Sequence, residues 1–528
     1  MNNPHLRNAF AAFLLAGTAA IGLPMSAHAA DPVSTVVNIT QIFKSLDPAR
    51  VTDYTGYMAV VNMYDGLTTV NEAGKIVPQL AKSWDISKDG LTYTFHLRDD
   101  VKFQNGTPMK ASDVVYTIQR MLAINEGPSH LIDGLVDAKN VKAPDDHTVV
   151  VKLNKPFSPF MAVTPLILVV NEDEIKANAK SEWGKSYVAD HSVGSGPYQL
   201  VSYNRSADLV MKRNPDYFLG WPNGTPIDQL RFVQTSDEAT VKALAQKGEL
   251  GMSSSSLSTD TVQAIGKLPN YKLIDTTTAT GFTMKLNTQR APTDDVYVRK
   301  AIALATDYNT IQTIIQPGKP MTGPLPPVFK DAHDDSIKPG QYDLKAANAE
   351  LAKSKYAGKP IKVTLSYVDA LSFEQEVALL MQANLSSIGI TVDIQPQPWN
   401  RIVDMATKPT TTPNITEVNI GPTYPSPDSM FYPQYDSMAS GTWLSMEWLD
   451  DKTTDDLIAK ARATPEVKAR NAIYKQIQQR IMKLQPTVFA NAPVRHYAAS
   501  KCLQGYKYIP MQSWDLNFWN YHWDCSAK

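Results

Sequence analysis

The feature that most restricts how this chain folds is a change of hydrophobic period that recurs along its length. In "LTYTFHLRDDVKFQNGTP" (91–108), Leu91, Tyr93, Phe95 and Leu97 alternate with Thr92, Thr94, His96 and Arg98. That pattern predicts a half-buried strand running to an Asn105-Gly106 turn. "KASDVVYTIQRML" follows with apolar residues at 114, 115, 118, 121 and 122, a one-faced helix with Ser112 as its cap. "PDDHTVVVKL" then reads as a turn and a second strand. The alternation continues through the strand "PIDQLRFVQ", the helix "SDEATVKALAQKGEL" ending near Gly248, and the strand "TGFTMKLNT". A helix over "DDVYVRKAIALATDYNTI" comes next, and "IKVTLSYV", "FEQEVALLMQANLSSIG" and "TVDIQPQPW" give strand, helix and strand. The segment 464–484 predicts a helix with Val467, Ile473, Ile477 and Ile481 near one face. Strands and helices so interleaved build α/β lobes with mixed sheets, and a chain of 528 residues fills at least two of them. With no internal repeat and no low-complexity linker, the lobes are expected to be joined by strands.

The N-terminus reads as a processing signal. Arg7 and the amino terminus make a weakly positive start, Ala9 to Leu23 carry no charge, and Pro24 ends the run. Ala27-His28-Ala29 offers small residues at the two positions a signal peptidase reads, so the expected signal peptide is 1–29 and the mature chain begins at Ala30 in the periplasm. The apolar run is short for a membrane span, and no Cys follows it for a lipid anchor. "LILVV" at 166–170 is the size of a core strand. Without Arg7 the chain has two more acidic than basic residues, which suits neither nucleic acid nor an anionic membrane as partner. The only two cysteines, Cys502 and Cys525, are expected to form one disulfide pinning the C-terminal tail, the alternative being two reduced structural thiols.

"VGSGPYQLVSYNRSADLVMKRNPDYF" (193–218) contains a tight turn that could be a phosphate cradle, a nucleophile elbow or a corner. Gly194-Ser195-Gly196 lacks the G-x-S-x-G spacing of an elbow, and Pro197 has no N–H to give an anion. No G-x-x-x-x-G-K-[ST] and no H-E-x-x-H occurs, and no two histidines of the mature chain have metal-site spacing. Neither a cofactor nor a metal is implied, and an enzyme is disfavoured. Aromatic residues are abundant instead, with 9 Trp and 23 Tyr, most densely in "PTYPSPDSMFYPQYDSMASGTWLSMEW" (422–448). Rigid rings among short polar residues suit a cleft for a small polar ligand, although such rings also serve ordinary cores.

Several stretches together resemble one family, the extracytoplasmic solute-binding proteins of bacterial ABC importers of the peptide- and nickel-binding type (family 5). "AKSWDISKDGLTYTFHLRDDVKFQNGTPMKASDVVYTIQRM" (81–121) resembles its most specific signature. "NMYDGLTT" (62–69), the Gly-Ser-Gly-Pro hairpin, "LNTQRAPTDDVYVRKAIALATDYNTI" (286–311) and "DLKAANAELAKS" (343–354) follow in family order. The resemblance implies a two-lobed periplasmic binding protein fold of type II, with an extra subdomain and a ligand cleft between the lobes. Lobe I would comprise 30–75, 193–280 and 490–528, the extra subdomain 76–192, and lobe II 281–489. The turn at 194–197 would be a corner at the return into lobe I.

The implied role is a monomeric receptor that closes on a solute and docks on an inner-membrane permease served by a separate ATPase. An enzyme or chaperone on the same scaffold is the other class, because a fold does not fix a function. Closure would bring Tyr64 on lobe I towards Trp399 and the 421–424 segment on lobe II. With Asp428 and Trp443 this makes the expected ligand set Tyr64, Trp399, Gly421, Thr423, Tyr424, Asp428 and Trp443. Peptide-binding members carry an Asp in "W-x-x-D-Y-x-x-P" that meets the ligand's α-ammonium. The matching stretch here, "IGPTYPSPDSM" (420–430), has Thr423 in its place, and Asp428 is the candidate substitute. A di- or oligopeptide is therefore the default ligand, with opines, oligosaccharides and other polar solutes open beside it.

Overall fold

The computed structural model describes residues 33–526 apart from 42, 52, 180, 181 and 512, so the expected signal peptide and its cleavage point lie outside the described residues. Twelve strands form one mixed sheet that runs through both lobes. In the first lobe Ser34–Ile39 lies parallel to Gln229–Gln234 on one side and to Leu250–Met252 on the other. The antiparallel hairpin Tyr198–Asn204 and Asp208–Arg213 extends that half outward. In the second lobe Ile361–Val368 lies parallel to Ile390–Gln397 and to Ile415–Ile420, which in turn pairs antiparallel with Gly281–Leu286.

One long strand, Thr487–Ser500, joins the halves. Its first residues pair with Gly281–Leu286 in the second lobe, and Val494 to Ser500 pair with Tyr271–Thr277 in the first. The chain crosses once more between Thr277 and Gly281, directly from strand to strand. The two crossings are at 278–280 and 492–494.

A separate four-stranded antiparallel sheet, in the order Ala81–Ile86, Thr92–Leu97, Thr148–Leu153 and Val136–Asp145, carries the helix Ala111–Ile124. Tyr93, Phe95 and Leu97 are buried while Thr92, Thr94 and His96 are half exposed, as the period-two pattern predicts. Three expected details differ. The helix cap is Lys110 and not Ser112, because Asp113 reaches back to accept from the Lys110 N–H at 2.8 Å. The last long helix runs Val467–Leu484 and buries Ile473, Ile477 and Ile481, but Val467 sits in its first turn and is exposed. The helix expected through 294–311 stops at Leu304, and Asp307 caps a new turn by accepting from the Thr310 N–H at 3.1 Å.

The Gly-Ser-Gly-Pro turn is a corner, as expected. It packs against the end of the helix Tyr54–Met63, where Gly196 N–H donates to the Met63 carbonyl at 3.0 Å and Ser195 Oγ donates to Asp65 at 2.7 Å. A Cβ on Gly194 would stand 2.2 Å from the Met63 oxygen, and one on Gly196 would stand 2.4 Å from the Met63 carbonyl carbon. Only glycine allows two backbones that close. At the C-terminus Cys502 is bonded to Cys525, which ties the ribbon Leu503–Gln504 and His522–Trp523 together in line with the exported reading. Among the described residues no helix is long and apolar enough to cross a membrane.

Candidate functional site

A cavity of about 470 Å³ lies between the two lobes, and the crossing residues Thr278, Thr280, Pro493 and Val494 form part of its wall. Its first-lobe side is built by three pieces of chain. Asp53 caps the helix Tyr54–Met63, accepting from Gly56 N–H through Oδ1 at 2.8 Å. Its Oδ2 accepts from the Trp399 indole N–H of the second lobe at 3.1 Å, so one carboxylate serves both lobes. Arg495, on the long crossing strand, donates to Asp515 at 3.1 Å and to Thr280 at 3.3 Å, with its guanidinium 5.1 Å from the Tyr54 ring centre. The serine run Ser254–Ser256 after the strand Leu250–Met252 adds a wall of hydroxyls.

The second-lobe side is more apolar and carries the carboxyls of Glu374 and Glu376. Trp399 opens the helix Trp399–Met405 and meets Trp443 edge to face, with ring centres 5.1 Å apart. The Trp443 indole N–H is buried without an acceptor. Gly421 follows the strand Ile415–Ile420, where a Cβ would come within 3.1 Å of Thr280 Oγ1. Glu374 lies in the first turn of the helix Ser372–Ser386 and is buried against the cavity. Its Oε2 accepts from the Val368 N–H at 2.8 Å, and burial pushes its carboxyl up to about 8. Glu417 is buried nearby with neither oxygen hydrogen-bonded. Burial, and then the Glu374 charge, push its carboxyl well above the usual carboxylate range.

Of the seven residues expected to line the cleft, Trp399, Gly421 and Trp443 border this cavity. Tyr64 is buried in the first lobe, where its hydroxyl is shared between His191 and Val193 at 3.4 Å. Thr423 and Tyr424 are buried beside the cavity and not on its wall. Asp428 is fully buried: it accepts from the Tyr424 hydroxyl at 2.8 Å and stands 3.7 Å from Arg462. Burial raises its carboxyl while the Arg462 charge pulls it down.

Most rings of the aromatic segment 422–448 are core, since Phe431 stacks on Tyr474 at 5.4 Å and Tyr435 is buried in the same cluster. Asp53, Ser254–Ser256, Glu374 and Arg495 were not singled out from sequence. The four consecutive serines at 253–256 were a visible signal, and so was a lone acid in the otherwise β-prone "ITEVNI". The burial of Glu374 had no such mark.

The chain belongs to the bacterial extracellular solute-binding proteins, family 5, whose model matches residues 75–442. It is 27% identical to the probable D,D-dipeptide-binding periplasmic protein DdpA of Escherichia coli, over 94% of this chain and 96% of that protein. It is 28% identical to the di/tripeptide-binding protein 2 of Pseudomonas aeruginosa, over 90% of this chain and 92% of that protein. In structure it is similar to the periplasmic binding protein DppA of Helicobacter pylori, solved with the peptide STSA. The TM-score there is 0.83 at 24% identity, covering 93% of this chain and 98% of the other. AppA of Bacillus subtilis, solved with a nonapeptide, superposes with a TM-score of 0.82 at 21% identity, over 93% and 98% of the two chains. The family is one of binding proteins, and the fold is the expected two-lobed type II architecture.

Proposed function

We propose that this protein is the periplasmic receptor of an ABC importer, and that it captures a di- or oligopeptide or a peptide-like solute between its lobes. In this reading the chain changes lobe at 278–280 and 492–494, where the sequence put the changes at 280–281 and 489–490. Closure on the ligand creates the surface that an inner-membrane permease with a separate ATPase engages. The observation that carries the reading is the 470 Å³ cavity enclosed by two lobes that share only two strand crossings. A hinge of that kind turns ligand contacts on both walls into closure. Arg495 supplies a cation for a ligand carboxylate, and the Trp443 N–H supplies a donor for a carbonyl.

Mass spectrometry of whatever the purified, denatured protein releases, followed by calorimetric titration with that compound and a dipeptide panel, tests it. Micromolar or tighter binding of a peptide-like compound is expected. A protein that releases nothing and binds no peptide or other small solute would not be a receptor.

A further inference from the structure

Resting on that receptor reading, we propose that the captured ligand carries a cationic centre, a substituted ammonium or a guanidinium, which docks on Glu374 with Glu417 behind it. Glu374 is 1% exposed and borders the cavity. Its Oε2 is engaged by the Val368 N–H, and among the described residues no donor reaches Oε1. In the strand Ile415–Ile420 alternate residues share a face, so Glu417 lies one pleat back from Asn419, which lines the cavity. Glu417 is off the cavity wall and buried close to Glu374, and among the described residues three of the four oxygens of the two carboxyls have no protein donor.

Among the described residues no cation of the protein pairs with either carboxyl. Lys285, on the strand beside Glu417, donates to Glu447 at 2.6 Å, to the Leu444 carbonyl at 2.9 Å and to Gln434 at 3.2 Å. Arg495, on the first lobe, is held by Asp515 and Thr280. A buried carboxylate without a partner is costly, so the empty cleft keeps the pair at least partly protonated. A ligand cation removes that cost by taking the proton's place, and a neutral group at the same spot gains nothing from it. The rings of Phe373 and Trp399 on the same wall suit the apolar stem and the face of such a cation. With Arg495 across the cavity, the wall suits a zwitterion whose positive end points into the second lobe.

The cation could be a peptide's α-ammonium or a basic side chain. Four peptides separate the sources: Arg-Ala, N-acetyl-Arg-Ala, citrulline-Ala and N-acetyl-citrulline-Ala. Calorimetry on wild type, Glu374→Gln and Glu417→Gln should show the cation-free peptide binding at least tenfold more weakly than one of the cationic members. That preference should shrink to within about threefold in Glu374→Gln. Because binding expels a proton, the wild-type enthalpy should also follow the buffer's heat of ionisation, and affinity should rise from pH 6 to pH 8. Tyr367 lies near both carboxyls and near Asp369, and the other carboxylate or basic groups on the cavity wall are Asp53, Asp260, Glu376, Arg495 and His496. The isosteric glutamines remove the proton release only if it comes from the pair.

Equal wild-type affinity for all four peptides, or an undiminished preference in Glu374→Gln, overturns the proposal and leaves the receptor reading standing. If none of the four binds, the compound released on denaturation decides. A cationic compound whose affinity falls at least tenfold in Glu374→Gln supports the proposal, and a neutral or purely anionic one overturns it. Release of nothing and binding of nothing overturns the receptor reading as well.

Discussion

Gly196 shows how little tolerance a single position can have when backbone meets backbone. The nearest atoms to an added methyl are the Met63 carbonyl carbon and the Tyr64 nitrogen, at 2.4 and 2.6 Å, and neither is the flexible end of a side chain. Gly196→Ala must therefore push the 194–197 corner off the end of the helix Tyr54–Met63. The displacement also strains the Ser195–Asp65 hydrogen bond and the Gly196–Met63 backbone bond. A loss of about 3 kcal/mol, at the upper end of overpacking penalties, is expected from urea unfolding. A change within error would mean that the corner can move freely. Composition alone could mark this turn as glycine and proline punctuation. The reason it must be glycine lies some 130 residues away, in Met63.

Between elements, the pairing of the last two helices rests on one carboxylate. Asp451 caps the helix Lys452–Ala463 by accepting from Thr454, and it also accepts from Arg480 of the helix Val467–Leu484 at 2.5 and 2.9 Å. Those Arg480 hydrogen bonds, then the Thr454 ones, pull its carboxyl down to about 2. A folded-state value below the unfolded one means the stabilisation is complete above the ordinary carboxylate pKa of about 4, and drains away as pH falls through about 2. Asp451→Asn should cost about 2 kcal/mol at pH 7, with the deficit shrinking towards pH 2 as wild type loses the same interaction. Denaturant melts at both pH values read this directly, and a pH-independent deficit would assign the effect to capping alone.

At this scale the hydrophobic period was a faithful guide, because Ile473, Ile477 and Ile481 have to be buried on something. Val467 misled it, since a first-turn residue can satisfy the period and still face water. Ser112 misled it too, since the helix already begins at Ala111, where Asp113 accepts from the Lys110 N–H.

For the whole molecule, the cavity is closed by contacts that reach from lobe to lobe. Trp399 donates to Asp53 at 3.1 Å, and Arg462 lies 4.7 Å from the Phe157 ring centre. Ser158 also bonds the carbonyls of Arg462 and Thr464 at 3.0 and 2.8 Å. Trp399→Phe keeps a ring against Trp443 but removes the donor to a charged acceptor, a bond worth about 2 kcal/mol. Affinity for the released ligand should fall roughly tenfold or more. Small-angle scattering should show the variant compacting only at higher ligand concentration than wild type. Unchanged affinity would mean that the Asp53–Trp399 bond does not contribute to closure.

The sequence by itself determined the α/β class, the mixed sheet and the corner at 194–197, because period, turn chemistry and proline geometry are local properties of the chain. It also made the pairing of Cys502 with Cys525 the simplest outcome, there being no third thiol. Only the tertiary structure decided which polar groups meet at the cavity. Asp53, Glu374, Trp399 and Arg495 come from four distant stretches, and nothing in the stretches around the acids separates them from the acids that stayed in solvent. Asp428 has the appearance in sequence of an available ligand partner, yet packing commits it to Tyr424 and Arg462. Glu417 has the appearance of a solvent-facing residue of a strand, yet the sheet buries it, and among the described residues neither of its oxygens has a hydrogen-bond partner. Burial is a property of what the rest of the chain brings alongside a residue, and that is settled only when the two lobes are assembled.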